Sequence, residues 1–413
     1  MSAEPKPVTA PAGPWLSIVG IGEDGIAGLG TDARKLIAGA SVVYGGRRHL
    51  EHAAGEIGGA AHQWPSPFGK AIDAVLALRG QPVCVLASGD PMFFGIGATL
   101  SRHVAAGEMR ILPAPSAFSL AAARLGWPLQ DTACVSLHGR PIALLRPHLQ
   151  PGRKLLVLTS DADSPAAIAA LISDLGFGVS PMSVLEALGG EKERVRETIA
   201  GEFGLTSIDP LNVLAIDVVG SAGARVLSLA PGLPDDWFEN DGQITRRLVR
   251  AATLAALAPH HGELMWDIGA GSGSISIEWM LRDTSLHAIA VEADAARAAR
   301  IRRNADAFGV PGLEIVEGAA PAALAGLPEP DAIFVGGGGS DAGVLDAAAG
   351  RLRPGGRLVA NAVTLETEAL LIARFDTHGG DLTRLAISQA SPVGGMTGWR
   401  PAMPVTQWSW TKP

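Results

Sequence analysis

Two glycine-rich turns constrain this chain more than any other feature. The first stretch, WLSIVGIGEDGIAGLG, spans residues 15–30, and the second, MWDIGAGSGSISIEW, spans residues 265–279. Each opens on a short apolar run and ends where a helix begins. Such a turn leaves bare backbone at the carboxyl end of a strand, where open α/β sheets take up small molecules. Two of them, far apart in a 413-residue chain, predict two α/β domains with separate small-molecule sites, within the usual expectation of about two or three domains for this length.

The rest of the chain fits that pattern. LSIVG (16–20), SVVYG (41–45), PVCVLAS (82–88), KLLVLTS (154–160) and LNVLAID (211–217) read as strands, with Ala/Leu-rich segments of helical length between them. In SDADSPAAIAALISDLGFG, Ser164 suits a helix cap, Pro165 the first helical position and Gly176 the stop. Periodicity is lost in APGLPDDWFENDGQ (230–243). After it a helix restarts, with Thr245 as its expected cap, Leu248, Ala251 and Ala255 on one face, and Arg246, Arg247 and Arg250 mostly elsewhere. LMWDIG, HAIAVEA, LEIVEG, DAIFVGG and GRLVANA form a second strand series. The predicted organisation is a flexible N-terminus (1–13), one domain over 14–225, a linker (226–236) and a second domain over 237–413, both with mainly parallel sheets.

Composition narrows the function. A net charge of -8 argues against nucleic acid, whose phosphates need a basic face. Cys84 and Cys134 lack metal-ligand spacing and read as small core residues, and no metal site is expected. The N-terminal MSAEPKPVTAPAGP lacks the apolar stretch of a signal peptide. The longest uncharged run, Leu385 to Trp399, is shorter than the roughly 18 apolar residues of a membrane span. A cytoplasmic protein is expected, with no membrane partner.

In the second turn, Asp267 closes its strand and Gly269, Ala270, Gly271, Ser272 and Gly273 follow. Ser274 stands where a dinucleotide fingerprint wants glycine or alanine. Glu292 comes nineteen positions after Gly273, close to the spacing of about 20 at which an acid accepts hydrogen bonds from ribose hydroxyls. Neither turn carries the Lys-Ser/Thr of a phosphate cradle, and the first carries Glu23 and Asp24, which repel phosphate. S-adenosylmethionine, a nucleoside without phosphate and with a cationic sulfur, fits both observations. The bland alternative is that the glycines merely close strand–helix turns.

WDIGAGSGSISIEW, VEAD and RLRPGGRLVANAVTLET resemble class I methyltransferase motifs. With PGLPDDWFENDGQITRRLVRA in front, residues 231–413 resemble the decarboxylating precorrin methyltransferases of cobalamin biosynthesis. The resemblance implies a Rossmann-like fold and adenosylmethionine contacts from Thr245, Asp267, Gly269 to Gly273 and Glu292. That family often has an acid facing adenine where this chain has Ala319.

Upstream, LASGDPMFFGIG, PAPSAFSLAAARLG, SLHGR and VLEALGGEKER follow one another in the order seen in tetrapyrrole methylases, and YGGRRHL points to those acting at carbon 5. This resemblance covers about 14–220 and implies a two-lobed (class III) methyltransferase fold. The implied cofactor residues are Ser88, Gly89, Asp90, Phe93, Ser116, Ala117 and Thr159. Where that family commonly has Gly-Pro-Gly, this chain has Glu23-Asp24-Gly25.

The two resemblances in this order are those of the fused C5,C15 precorrin methyltransferases. They imply an enzyme with two adenosylmethionine sites. It would methylate precorrin-6B at carbons 5 and 15 and remove the carboxyl of the carbon-12 acetate, giving precorrin-8. By that reading 14–220 serves carbon 5, and 237–413 serves carbon 15 and the decarboxylation. A homo-oligomer is implied. Asp90, His138 and Glu366 are the candidate catalytic residues, with His138 alternatively structural and Glu366 alternatively a helix-end residue. Arg47, Arg48 and His49 suit substrate carboxylates or a solvated face, and Arg400 with Trp399, Trp408 and Trp410 suits the macrocycle or a final strand. The rival readings are an NAD-dependent oxidoreductase built on 265–292, a tetrapyrrole carrier, and a methyltransferase acting on RNA.

Overall fold

The computed structural model describes residues 13–65 and 69–413; most of the N-terminal stretch expected to be flexible lies outside them. The chain separates into two compact units. One comprises the residues up to Arg140 together with His148–Arg225; the other comprises Pro141–Pro147 and Val226–Pro413.

The first unit holds two five-stranded sheets. The first contains β1 (Leu16–Ile21), β2 (Val42–Gly45), β3 (Ala60–Gln63), β4 (Val83–Ser88) and β5 (Met109–Leu112), in the order β3-β2-β4-β1-β5. All its pairings are parallel. Parallel strands covered on both faces read as unbroken apolar runs, and LSIVGI and VCVLAS are such runs, almost wholly buried. The second sheet contains β6 (Thr132–Ser136), β7 (Lys154–Leu158), β8 (Pro181–Glu186), β9 (Arg194–Ile199) and β10 (Asn212–Asp217), in the order β6-β7-β10-β8-β9. Here the expectation of mainly parallel sheets fails: only β6 and β7 run parallel. For β8 and β9 the reason is local, because a short loop joins them and a short loop can connect only antiparallel neighbours; β10 then enters antiparallel to both β7 and β8. The helix Ala117–Leu125 packs Phe118, Ala121 and Ala122 against Leu156, Leu185 and Val213 of this sheet.

The second unit is built on β11 (Leu264–Ile268), β12 (His287–Glu292), β13 (Glu314–Glu317), β14 (Ala332–Val335), β15 (Arg357–Ala362), β16 (Asp381–Leu385) and, after a two-stranded hairpin of β17 (Ser388–Val393) and β18 (Met396–Pro401), β19 (Val405–Thr411). The seven-stranded order is β13-β12-β11-β14-β15-β19-β16. The first five strands are parallel, and β19 inserts antiparallel between β15 and β16. Alternation in VTQWSWT puts Trp408 and Trp410 on one face, where their rings stack 6.0 Å apart. Trp408 is buried, so these two tryptophans follow the final-strand alternative, while Trp399 and Arg400 stand on the β17–β18 hairpin with Trp399 exposed.

The helix after residue 245 begins at Arg247 and runs to Leu257. Thr245 does not cap it: Arg246 holds the cap position without a side-chain hydrogen bond. The expected face is also corrected. Val249, Arg250, Thr253, Leu254 and Leu257 are buried, and Leu248 is exposed. Arg250 turns inward because Glu278, itself fully buried, receives its Nε at 2.6 Å. A buried charge is tolerated when paired and hydrogen-bonded. Arg250 also meets Asp235 at 3.1 Å and lies over the Phe238 ring. Glu278 further accepts the backbone N–H groups of Gly232 and Leu233 at 2.6 and 2.8 Å. Residues around 232–238 are thereby built into this unit. In the helix Ser164–Ile172, Ser164 is the first residue rather than the cap, Pro165 sits in the first turn, and Gly176 takes the positive φ that ends the run. Among the described residues no helix is long and apolar enough to cross a membrane.

Candidate functional site

In the second unit, β11 delivers Asp267 to the carboxyl end of the sheet and the chain turns through Gly269, Gly271 and Gly273, all with positive φ. The three glycines answer to three different neighbours. A Cβ on Gly269 would stand 2.4 Å from the Gly337 carbonyl oxygen, so two backbones meet there. A Cβ on Gly273 would stand 2.7 Å from the Ile301 side chain, where a helix packs. At Gly271 the nearest atom would be the Gln243 carbonyl oxygen at 3.7 Å, an ordinary contact, so a Cβ has room there. The turn is held to β12 because the Gly269 and Ala270 N–H groups donate to the Val291 carbonyl.

Glu292 ends β12 and is buried. Its carboxylate accepts the Gly271 N–H at 2.8 Å and the Asp294 N–H at 3.1 Å. Asp267 is fully buried; one oxygen accepts from the Ser276 N–H and hydroxyl, and the other has no partner among the described residues. Burial pushes the Asp267 carboxyl up to about 6; the Ser276 hydrogen bonds oppose that shift and the Glu292 charge adds to it. Ser272 and Ser274 are buried. A strap over 239–243 is tied down beside the turn. Asn304 bonds the Glu239 backbone and the Ser272 carbonyl, and Arg297 and Arg300 reach Asp241 at 2.8 and 3.1 Å. Thr245 follows the strap, half-buried, its carbonyl engaged by Arg250. Ala319 is exposed in the loop after β13, and its carbonyl accepts the Ala323 N–H. Glu366 is exposed in the first turn of the helix Leu365–His378, capped by Thr364, which suits the helix-end alternative.

In the first unit, Ser88 ends β4 and Gly89 turns with φ +55. A Cβ on Gly20 would lie 1.9 Å from the Gly89 carbonyl oxygen, so β1 and this turn meet backbone to backbone. Asp90 accepts the Met92 N–H at 2.9 Å and fixes the turn. Phe93 and Phe94 are partly exposed and meet Phe118 with tilted rings, centroids 5.1 and 5.9 Å apart, which brings the loop to the helix packed on the second sheet. Ser116 caps that helix through the Ser119 N–H, with Ala117 beginning it. Thr159 is buried, its hydroxyl donating to Asn212 at 2.8 Å, and its carbonyl lies 3.1 Å from His138 Nδ1. That contact makes Nδ1 the donor and leaves His138 Nε2 as an acceptor on an exposed ring.

The YGGRRHL motif divides. Arg47 pairs with Glu51 in full exposure, as a solvated face does. Arg48 and His49 fold inward to Ser88, and Arg48 pairs with Glu23 at 3.1 Å. The loop of VLEALGGEKER also reaches this place, because a Cβ on Gly190 would lie 2.8 Å from Glu23 Cβ. Cys84 is buried, and burial pushes its thiol up to about 12, consistent with an inert core residue. Several participants gave no signal in advance: Asn304, Glu278 and the inward turn of Arg250 depend on partners remote in sequence. The glycine run 336–339, which meets the turn at Gly269, is itself visible in the sequence.

Comparison with known proteins locates two families in the chain. Residues 16–204 match the family described as Tetrapyrrole (Corrin/Porphyrin) Methylases, and residues 236–412 match that described as Precorrin methyltransferase domain. The chain is 61% identical over 399 residues to a Precorrin-6Y C(5,15)-methyltransferase [decarboxylating] of Sinorhizobium sp., covering 97% of each protein. Two shorter relatives come from Salmonella typhimurium. A Cobalt-precorrin-6B C(15)-methyltransferase (decarboxylating) is 34% identical over 39% of this chain and 85% of its own length. A Cobalt-precorrin-7 C(5)-methyltransferase is 32% identical over 44% of this chain and 88% of its own.

Proposed function

The chain belongs to the decarboxylating precorrin-6Y C(5,15)-methyltransferases of cobalamin biosynthesis, and from that premise we propose that its two units hold separate adenosylmethionine sites and divide the chemistry. The first unit methylates carbon 5; the second methylates carbon 15 and releases the carboxyl of the carbon-12 acetate, so that precorrin-6B becomes precorrin-8. Separate Salmonella relatives named for the C(5) and the C(15) reactions support the division. The exposed Val393, Met396, Trp399 and Met403 on and beside the β17–β18 hairpin support a homo-oligomer. A cytoplasmic location belongs to the same reading.

The observation that carries the proposal is the trio of Asp267, Gly271 and Glu292. Gly271 has room for a Cβ, its N–H is held by buried Glu292, and buried Asp267 closes the preceding strand with one oxygen that has no partner among the described residues. Such a place suits a cationic nucleoside and repels pyrophosphate, so these residues fit adenosylmethionine. Glu292, already oriented by two backbone N–H groups, keeps lone pairs for ribose hydroxyls. In the first unit we assign the second cofactor to Ser88, Gly89, Asp90, Phe93, Ser116, Ala117 and Thr159, with His138 and Asp90 beside the reacting carbon.

When bound, adenosylmethionine supplies a methyl group on a cationic sulfur whose leaving group is neutral. The chain then has mainly to position and to exclude water, and positioning is worth up to roughly 7–11 kcal/mol. We assign both tasks in the second unit to the strap 239–243, which Asn304, Arg297 and Arg300 fix beside the glycine turn. Calorimetry with S-adenosylhomocysteine tests the proposal directly: two equivalents per chain are expected. A single equivalent, or displacement by NADH from the turn after Asp267, would overturn it.

A further inference from the structure

The loop after β1, the helix Arg47–Ala53 and the end of β4 bring five side chains together: Glu23, Arg48, His49, His52 and Ser88. His49 Nε2 lies 2.8 Å from the Ser88 hydroxyl. An Arg48 nitrogen lies 3.3 Å from the same hydroxyl and 3.5 Å from His49 Nε2. We propose that Ser88 and His49 form a proton-accepting pair for the methylation carried out by the first unit, with Arg48 setting the direction of transfer. The proposal rests on the reading that this unit methylates carbon 5.

The direction follows from donors and acceptors. A guanidinium has only N–H groups to offer. Arg48 therefore donates to Ser88 Oγ, and it faces His49 Nε2 in a way that disfavours a hydrogen on that nitrogen. The tautomer assigned by this network carries its hydrogen on Nδ1 and leaves Nε2 bare. With its oxygen already accepting from Arg48, Ser88 turns its own hydrogen to Nε2. Ser88 is exposed at the carboxyl end of β4, whereas the His49 ring lies behind it and is half-buried. His49 Nδ1 is buried without a partner among the described residues, so no carboxylate stabilises the charged ring from behind.

Burial, with Arg48 and His52 adding their charge, pushes the imidazole down to about 4, so the free protein holds it neutral. The charged groups facing it are Arg48 and His52 on its own helix and Glu23 from the loop after β1. Glu23 stands 3.1 Å from Arg48 and 3.7 Å from His52.

Replacing a ring C–H by C–CH3 leaves one proton over. The new C–C bond forms as the S–CH3 bond breaks, and the pair from the departing C–H bond restores the conjugation of the macrocycle. That proton passes to Ser88 Oγ while the Ser88 hydrogen passes to His49 Nε2. Ser88 ends neutral and His49 cationic, and His49 then returns the proton to water. A weak base suffices, because the C–H of the methylated, positively charged macrocycle is acidic. Substrate carboxylates drawn to Arg48 raise the affinity of the ring for a proton only while the macrocycle is bound.

The test uses the full chain, precorrin-6B and labelled adenosylmethionine, with each methylation and carbon dioxide counted separately. His49→Gln should lower the carbon-5 rate constant by about 10²–10⁴-fold, with substrate KM and the carbon-15 reaction little changed, and Ser88→Ala should slow the same step. Removing the neighbouring charge in Arg48→Gln should move the acid limb of kcat/KM upward from near 4 toward the ordinary histidine value of 6.5; Arg48→Lys should restore it. An unchanged carbon-5 rate in His49→Gln, or an acid limb that Arg48→Gln leaves in place, would overturn the pair. Loss confined to carbon-15 methylation would instead overturn the assignment of carbon 5 to this unit.

Discussion

Replacing Gly271 by alanine should separate cofactor binding from folding, and the same change at Gly269 or Gly273 should not. Gly271 has φ +59, and a Cβ there meets nothing closer than 3.7 Å. The cost to the fold is that of a left-handed alanine, about 1–2 kcal/mol. In a unit of this size that lowers Tm by about 2–8 °C. At Gly269 the new Cβ meets the Gly337 backbone at 2.4 Å, and at Gly273 it meets Ile301 at 2.7 Å. Both add roughly 1–3 kcal/mol of overpacking to the same backbone strain. The methyl at Gly271 instead enters the space proposed for adenosylmethionine. The same overpacking range there lowers affinity by roughly 5–150-fold. Scanning calorimetry of the three variants should rank Gly271→Ala nearest the parent, and titration with S-adenosylhomocysteine should show its second equivalent weakened. Full-affinity binding of two equivalents by Gly271→Ala would refute the open-cradle reasoning. So would a Tm loss as large as that of Gly269→Ala.

Four other outcomes follow from the same geometry. The Asp267 carboxyl is raised from 3.8 to about 6 in the folded chain, so the folded state holds that proton more tightly than the unfolded one. Its contribution to stability is therefore present below pH 4 and lost as pH rises through 6, roughly 3 kcal/mol in all; Asp267→Asn should flatten that slope in urea melts, and parallel pH profiles would contradict it. Arg250→Met leaves Glu278 buried and unpaired and should cost about 3–5 kcal/mol, against less than about 0.5 kcal/mol for exposed Arg247→Met, both read from denaturant midpoints. Asp90→Ala removes the bond to the Met92 N–H and should impair carbon-5 methylation while carbon-15 methylation and carbon dioxide release continue; mass spectrometry that shows all three lost in a folded variant would argue against separate sites. Gly271→Val should give the converse pattern, with carbon-5 methylation retained.

What the sequence disclosed was local. The runs of β1, β4, β11 and β12 stand out because buried parallel strands are apolar on both faces. The turn from Asp267 to Gly273 and the spaced Glu292 were legible because their chemistry lies within one strand–helix–strand unit. By contrast, all four residues of β3 are exposed, so no apolar pattern marked it. Arg250 resembled a surface residue because Glu278 lies two elements away. Ser88 and His49 stood in separate motifs, and only the pairing of β2 with β4 brings them side by side. The Thr245 cap failed for a related reason: its carbonyl and the residues around it are committed to Arg250, and the helix starts two residues later.

The insertion of β19 between β15 and β16 has a consequence for how the polypeptide emerges from the ribosome. β16 is made before β19, the neighbour it must pair with, and synthesis proceeds at about 5–20 residues per second. For a second or more β16 has no seat, and the outer rim of β15 offers unpaired amides and carbonyls to any passing strand. Released chains that end just short of residue 405 should therefore be the ones most readily captured by chaperones.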